Sequence, residues 1–389
     1  MNRRCWSGVV LVGLAACWFT SCAPTQRPAS RSAPAVASLP TGPVEELKIR
    51  PKQMPPGIST RLQTVVEHVR QRDLLTTNAF WTIFHGILGL GPSVTLRDPE
   101  TGKLVPALDY ICGGGELRGL RFLPTKHGLD VQMGPLSVGQ GHQDQFVAEM
   151  IQWDIAPDRR FLVQGQQYTF MDFVRQSQMQ ARTRAKQELS WTLIVVGQHL
   201  GTDCRWTNGT GEALTFEDLL RYELDASVED APCGGTHRLF GQAWAYYLHT
   251  GRGHPATGVW REVPEKTAKY RDLARKWQNA DGSFSTQFFR GPGNAPDKQL
   301  RINSTGHIFE WLALALSDRE LQETWLEEAA NALCLMILDL KDGPIDGGSL
   351  YHAVHGLLIY AARRGDVDAL GPSKPYLPFA PPPVLHKSE

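Results

Sequence analysis

The apolar residues of this chain follow two alternating helical patterns. In the first, Tyr270, Leu273, Ala274 and Trp277 repeat at i, i+3, i+4 and i+7 opposite a charged face, which predicts an amphipathic helix. In the second, residues 308–316 are apolar nearly all round, as a helix buried on every side must be. The alternation of one-sided helices with helices buried on all sides predicts two concentric helical layers.

Six helical hairpins follow from this alternation. In the order outer helix then inner helix, the predicted pairs are 58–73 with 77–90, an unassigned segment with 142–153, 169–186 with 188–200, 214–223 with 237–249, 265–277 with 305–316, and 321–338 with 350–363. Residues 93–138 are rich in glycine and proline, so we expect strands or a long loop there, for instance over 104–111. Six hairpins that close on themselves predict an all-α fold, an (α/α) toroid with inner and outer layers. A superhelical solenoid is the alternative, which the irregular spacing of the hairpins disfavours.

A short turn sequence carries a resemblance to a known family. Lys276-Trp-Gln-Asn-Ala-Asp-Gly-Ser-Phe284 resembles the QN-x-DGSF turn of the terpenoid cyclases and protein prenyltransferases, which are α/α toroids. The pattern Asn-x-Asp-Gly permits a tight turn with a positive φ and side-chain capping. The resemblance implies the toroid but not the chemistry, because neither the D-x-D-D acid motif nor the prenyltransferase zinc set is recognisable. The whole chain resembles uncharacterised exported bacterial lipoproteins of this type more than any named enzyme.

The first residues have the three parts of an export signal. Arg3 and Arg4 give a positive start, and the apolar stretch that follows is too short to span a membrane stably. Small residues precede two cysteines, Cys17 and Cys22, as in the bacterial lipobox. We therefore predict a lipoprotein signal peptide over 1–22, with the lipid on Cys22 or Cys17. The mature protein is expected to be membrane-anchored in the bacterial cell envelope, facing the periplasm or the exterior; an ordinary secretory signal is the alternative.

Composition divides the rest of the chain and limits its partners. Residues 23–57 are rich in proline, alanine and serine, which predicts a flexible tether, and 366–389 form a proline-rich tail. The toroid domain is therefore expected over 58–365. Lysine and arginine together number 40, as do aspartate and glutamate, so there is no basic excess of the kind that nucleic-acid binding uses. The expected partners are the membrane, through the lipid, and a glycan or an envelope protein.

The cysteines of the body restrict its chemistry only slightly. They are Cys112, Cys204, Cys233 and Cys334. Four cysteines allow three disulfide pairings, and the sequence does not choose among them. The body contains no close C-x-x-C pair of the kind that marks a structural zinc finger, and neither Cys112 nor Cys233 matches the C-G-E-Q motif of toroidal thioester domains.

A histidine recurs in glycine- or serine-rich segments at the starts of predicted inner helices. The segments are Gly139-Gln-Gly-His142, Gly234-Gly-Thr-His237, Ser304-Thr-Gly-His307 and Gly348-Ser-Leu-Tyr-His352. In a toroid these helix starts surround one mouth of the central cavity, so the sequence predicts a shared site. The residues expected there are His142, Asp144, His237, Arg238, His307, Glu310, His352 and His355.

The residue types at this mouth suggest several roles. Histidine at a helix start has its charged form disfavoured, so we expect neutral imidazoles that bind a ligand or act as bases. No cofactor is predicted, although a divalent metal would suit such donors. Asp144 and Glu310 are the candidate catalytic acid and base, and Arg238 would bind an acidic sugar. The alternative is that each histidine bonds a nearby carbonyl and fixes its hairpin.

Two classes of function remain open at this point. In the first, a cell-envelope lipoprotein uses the toroidal domain to bind a glycan, a peptide or a partner protein without chemistry. In the second, the domain is a glycan-processing hydrolase or lyase that uses the cluster of histidines and carboxylates. The absence of a hallmark catalytic motif such as H-E-x-x-H favours the first class. The concentration of titratable groups at the predicted mouth favours the second.

Overall fold

The computed structural model describes residues 54–134, 138–366, 370 and 374–378. All of them belong to one compact unit, Arg50–Glu389. The predictions for the signal peptide, for nearly all of the tether and for most of the tail therefore lie outside the described residues. Within the described part of the chain the secondary structure is mostly helical, as the apolar periodicity predicts.

Twelve α-helices occur in the described ranges, and every helix that the sequence predicts is present. They are α1 (Pro56–Arg70), α2 (Phe80–Leu90), α3 (Ala107–Cys112), α4 (Gln145–Ile151), α5 (Phe170–Gln180), α6 (Ser190–Leu200), α7 (Phe216–Asp225), α8 (Thr236–Gly251), α9 (Glu262–Lys276), α10 (Lys298–Ala315), α11 (Thr324–Leu340) and α12 (Gly347–Arg363). Helix α10 begins at Lys298 instead of residue 305. The prediction that an inner helix starts at Ser304-Thr-Gly-His307 is therefore wrong, because these residues continue a helix that Asp297 caps by accepting a hydrogen bond from the Leu300 amide.

Nine short strands lie in the connections between the described helices. They are β1 (Leu74–Leu75), β2 (Thr95–Arg97), β3 (Leu104–Pro106), β4 (Phe122–Thr125), β5 (Gly128–Val131), β6 (Arg160–Val163), β7 (Gln166–Thr169), β8 (Arg205–Thr207) and β9 (Ala213–Thr215). The pairs β4–β5, β6–β7 and β8–β9 are antiparallel hairpins, while β1, β2 and β3 form one small sheet. The segment 93–138 thus contains strands and also the short helix α3, whose six residues are too few to produce a recognisable apolar period.

Six helices pack against one another in a closed series, and we call them the central helices. Each of α2, α4, α6, α8 and α10 contacts the next of the series, and α12 contacts both α10 and α2. Every residue of α4 is buried, whereas α9, which packs against α8 and α10, buries only Val263, Tyr270 and Ala274. The contrast agrees with the predicted alternation of helices buried all round and one-sided helices.

Glycines allow α10 and α12 to approach closely. A Cβ atom on Gly356 of α12 would lie 2.8 Å from the Cα atom of Glu310 on α10. A Cβ atom on Gly306 of α10 would lie 2.8 Å from the Cβ atom of Ala353 on α12. Both distances are shorter than carbon atoms tolerate, so the helix separation requires residues without a side chain.

The turn that resembles the terpenoid cyclase family is tight, as its sequence predicts. Gly282 has a φ of 88°, and its amide donates a hydrogen bond to the Asn279 carbonyl at 2.9 Å. A Cβ atom there would lie 2.5 Å from the carbonyl oxygen of Glu328. The Gln278 amide nitrogen donates to the carbonyls of Gly282 and Trp325. The turn therefore ties the end of α9 to the first turns of α11.

Residues 374–378 pack across the C-terminal parts of three central helices. The Tyr376 amide donates a hydrogen bond to the carbonyl of Gln152, which follows α4, at 2.8 Å. The Gln198 amide nitrogen on α6 donates to the Tyr376 hydroxyl at 3.1 Å, and the Tyr376 ring lies 5.9 Å from Trp244 on α8. This segment therefore covers the C-terminal end of the series. Among the described helices, none has the length and apolar character that crossing a membrane requires.

Candidate metal centre

A cavity of about 470 Å³ lies among the starts of four central helices. Its lining includes Trp81, Gln145, His237 and His352, which lie in the first two turns of α2, α4, α8 and α12. His307 lines it from the middle of α10. The cavity is at the end of the central helices opposite to the one that residues 374–378 cover.

The structure brings together the four histidines that the sequence analysis grouped. The ring centroids of His307 and His352 are 4.3 Å apart, those of His142 and His237 are 4.7 Å apart, and those of His237 and His307 are 5.2 Å apart. All four side chains are buried and all four line the cavity. A fifth ring, that of His85 on α2, lies 5.3 Å from His352 and escaped the sequence analysis. The sequence did contain a signal for His85, because it is the only ionisable residue of the apolar helix α2.

Three of the cavity histidines donate their Nδ1–H group to an oxygen atom of the protein. The pairs are His142 with Glu188 Oε2 at 2.7 Å, His352 with Glu310 Oε2 at 2.7 Å, and His307 with the Asn303 carbonyl at 2.8 Å. A neutral imidazole that donates from Nδ1 keeps its lone pair on Nε2. Metal-binding histidines are oriented in this way, with the second nitrogen held by a carboxylate or a carbonyl.

His237 differs from the other three, because both of its ring nitrogens are buried without a hydrogen-bond partner. Burial lowers the pKa of His237 far below its usual value, and the neighbouring histidines lower it further, so the ring is neutral. An unpaired buried polar atom costs about 1–3 kcal/mol, and this ring has two. A bound ligand atom or metal ion in contact with the ring would remove part of that cost.

Cys233 lines the cavity beside these histidines, in the turn that precedes α8. Burial raises the pKa of its thiol, but contacts with His307 and His142 outweigh burial and hold this pKa at about 6. Burial also lowers the pKa of His142, but Cys233 and Glu188 outweigh it and raise this pKa to about 10. The pKa of His307 is raised as well, mainly by Cys233 against the effect of burial. The prediction of neutral histidines is therefore wrong for His142 in the metal-free protein, because an anionic thiolate and a carboxylate stabilise its charged form. A metal ion held by these residues would displace that proton, since metal ligands bind in their deprotonated form.

Two groups of three donors in the cavity could each hold a metal ion. The donor atoms of His142, Cys233 and His237 lie within 4.8 Å of one another, and so do those of His237, His307 and His352. Tetrahedral zinc with bonds of about 2.0–2.3 Å places its ligands roughly 3.3–3.8 Å apart, so modest side-chain movements suffice. Thiolate and imidazole together are a donor set that suits Zn²⁺.

Asp144, a candidate catalytic residue of the sequence analysis, does not line the cavity. Its carboxylate accepts hydrogen bonds from Ser177 Oγ at 2.7 Å, from Thr192 Oγ1 at 2.6 Å and from the Gln180 amide nitrogen at 2.9 Å. Ser177 and Gln180 belong to α5, and Thr192 belongs to α6. The carboxylate therefore joins the start of α4 to two neighbouring helices.

Glu310, the second candidate catalytic carboxylate, lies behind His352. It accepts 2.7 Å hydrogen bonds from Nδ1 of both His352 and His355. Burial raises the pKa of Glu310, but the two histidines outweigh burial and hold this pKa at about 2. Arg238 points to Glu223, which it contacts at 2.8 Å. Of the eight predicted residues, Asp144, Arg238, Glu310 and His355 are therefore not part of the described lining.

The residues that the sequence analysis missed are Cys233, His85 and Glu188. Cys233 directly precedes the Gly234-Gly-Thr-His237 segment, so its position in the sequence was a usable signal. Glu188 gave no signal, because only the folded chain places it against His142. No known protein family, no curated protein and no solved structure matches this chain.

Proposed function

We propose that the protein is a metal-dependent hydrolase whose Zn²⁺-type ion is held by His142, Cys233 and His237. The observation that carries the proposal is the buried His237 ring with two unpartnered nitrogens beside a thiolate. Three protein ligands beside an open cavity are typical of catalytic zinc, whereas structural zinc has four. Such an ion, when bound, acts as a Lewis acid and activates water.

The fold that we propose for this site is the (α/α) toroid of the sequence analysis. Its support is the closed series of contacts among the central helices, in which α12 packs against α2. The cavity at the starts of these helices is where a toroid has its mouth. His307 is the proposed proton acceptor, because its Nδ1–H is donated to Asn303 and a metal ion bound to Cys233 would neutralise the thiolate that favours the charged ring in the metal-free protein.

The carboxylates argue for acyl chemistry rather than glycoside cleavage. Glycosidases use two carboxyl groups about 5–10 Å apart across the substrate. Asp346 is the only carboxylate in the described lining, and it accepts hydrogen bonds from the Ser349 amide at 2.9 Å and from Trp81 Nε1 at 3.2 Å. An ester or amide bond needs no such pair, since a metal ion polarises the carbonyl group.

The substrate class that we propose is an acylated glycan of the cell envelope. Trp81 presents an aromatic ring to the cavity, and Gln299, Asn303 and Ser349 add amide and hydroxyl groups. Aromatic rings with polar neighbours suit the mixed apolar and hydroxylated faces of sugars. A peptide or a partner protein, the other ligands that the sequence analysis considered, would need a longer groove than this cavity.

A second candidate function is thiol-dependent acyl transfer, with Cys233 as the nucleophile. Two observations favour it: Cys233 has a φ of 50° in the turn before α8, and His142 is held at 2.7 Å by Glu188. A strained nucleophile beside a histidine that a carboxylate orients is the arrangement of a catalytic triad. The same thiolate cannot serve as metal ligand and free nucleophile in one resting state.

Chelation and alkylation together separate the two candidates. We expect the purified protein to contain Zn²⁺, to hydrolyse an aryl acetate or an acetylated amino sugar, and to lose this activity on dialysis against dipicolinate. Addition of Zn²⁺ should restore the activity, and bound Zn²⁺ should protect Cys233 from iodoacetamide. Activity that survives complete metal removal and disappears on alkylation of Cys233 would instead establish the thiol mechanism and overturn the metal proposal.

We also propose that lipid on Cys22 or Cys17 anchors the protein in the cell envelope, a proposal that rests on the sequence alone. Changing both cysteines to serine removes the thiol that carries the lipid. We expect the double variant to leave the membrane fraction and appear in the soluble fraction, with each single variant identifying the modified cysteine. Membrane fractionation and metabolic labelling with a fatty acid measure the effect. Retention of the unlabelled double variant in the membrane would contradict the anchor.

A further inference from the structure

A second buried polar cluster adjoins the cavity, and the proposed centre does not use it. It contains His85 on α2, Gln145 and Glu149 on α4, and His352 on α12. All four side chains are almost fully buried. The donor atoms of His85, Glu149 and His352 lie within 4.8 Å of one another. Gln145 lines the cavity, and Glu149 follows it one helical turn further along α4.

The hydrogen bonds within this cluster leave two oxygen atoms unpaired. The Gln145 amide nitrogen donates to Glu149 Oε1 at 2.9 Å and to His85 Nε2 at 3.2 Å. Gln145 Oε1 and Glu149 Oε2, by contrast, are buried and have no partner. A cluster that served only to pack α4 against α2 would be expected to pair its buried acceptors, because each unpaired one costs about 1–3 kcal/mol.

The orientation of the imidazoles fits a cation at this position. His85 donates its Nδ1–H to the Trp81 carbonyl at 2.7 Å, and His352 donates its own to Glu310. Both rings therefore keep a lone pair on Nε2. A half-turn of the Gln145 amide would direct its oxygen toward His85 and Glu149, an arrangement of acceptors that a bound cation would stabilise.

We propose that His85, Glu149 and His352, with the Gln145 oxygen as a further ligand, hold a second divalent metal ion beside the first. This inference rests on the proposed function, because the second ion would form a binuclear centre together with the ion proposed at His142, Cys233 and His237. The two sites differ in chemistry: the first contains a thiolate, while the second offers only nitrogen and oxygen donors. Soft ions prefer thiolate, whereas Mn²⁺ prefers oxygen and nitrogen, so two different ions can report on the two sites.

Equilibrium dialysis of the metal-free protein against Cd²⁺ or Mn²⁺ tests the second site. We expect the wild-type chain to bind both ions. Cys233→Ser should lower the Cd²⁺ affinity and leave Mn²⁺ binding unchanged. Glu149→Gln should leave Cd²⁺ binding unchanged and lower the Mn²⁺ affinity by at least ~10-fold, as loss of a partner at a metal site does. His85→Gln is the second variant, in case Glu149→Gln fails to fold.

Asp144→Asn is the matched control, since it makes the same change of carboxylate to amide at a buried position that bonds α5 and α6. It should keep the affinities for both ions. Wild-type protein that binds Cd²⁺ but not Mn²⁺ would overturn the second site and leave the first intact. Protein that binds neither ion would overturn both proposals. Mn²⁺ binding that persists in folded Glu149→Gln and His85→Gln variants would overturn this assignment of ligands.

Discussion

Replacing His237 by glutamine is expected to lower the affinity of the protein for Zn²⁺ by at least ~100-fold, since changing even an outer partner of a metal ligand costs about 10–100-fold. The metal-free variant should be about as stable as the metal-free wild type. Both ring nitrogens of His237 lack a hydrogen-bond partner, so removing the ring leaves no donor or acceptor orphaned. Competition with a chromophoric chelator measures the affinity, and thermal melts of the metal-free proteins measure the stability.

His199→Gln is the matched control for this substitution. His199 also has a buried, unpartnered Nε2 atom, but it lies near the C-terminal end of α6, away from the cavity. The His199→Gln variant should therefore have the same affinity for Zn²⁺ as the wild type. If His237 were instead a lock for its hairpin, its replacement would destabilise the metal-free protein by about 1–3 kcal/mol and leave metal binding untouched. That result would remove the principal support for the metal centre.

Replacing Gly356 by valine is expected to lower the free energy of unfolding by more than ~3 kcal/mol. The new Cβ atom would lie 2.8 Å from Cα and 2.9 Å from the amide nitrogen of Glu310, which are backbone atoms that cannot move away locally. Overpacking alone costs about 1–3 kcal/mol. Separation of α10 from α12 would also strain the hydrogen bonds from His352 and His355 to Glu310. Urea denaturation followed by circular dichroism measures the change.

The control is Gly57→Val, because Gly57 lies in α1 and a Cβ atom there would meet nothing within 4 Å. Its effect on the free energy of unfolding should stay within ~0.5 kcal/mol, as for most surface substitutions. Equal denaturation midpoints for Gly356→Val and the wild type would mean that the close approach of α10 and α12 is not required for stability.

The helices were predictable because their information is local. The apolar composition of 308–316 is enough to predict a helix buried on all sides. The spacing of Tyr270 and Trp277 is enough to predict a helix with one apolar face. Helix α3 escaped because six residues carry too little of a period. The start of α10 was misplaced because Ser304 and Gly306 are typical of turns. In the structure Gly306 is instead required by its contact with Ala353.

The location of the site was predictable to the extent that it depends on where the inner helices begin. The four histidines could be grouped because their neighbouring glycines marked comparable places in successive hairpins. What each side chain contacts depends on residues far away along the chain. The spacing of apolar residues gives no information about those long-range contacts. Asp144 is held by Ser177 and Thr192, and Glu310 by His352, so neither carboxylate faces the cavity.

The contact between α2 and α12 also determines when the site can exist during synthesis of the chain. His85 is made early and His352 late, and their rings meet only after α12 has packed against α2. Contacts between such distant segments form late, because the loop between them must first lose its freedom. A nascent chain that lacks α12 therefore lacks one ligand of the proposed second site. The ions available in the compartment where folding finishes, rather than those near the ribosome, will decide which metal that site receives.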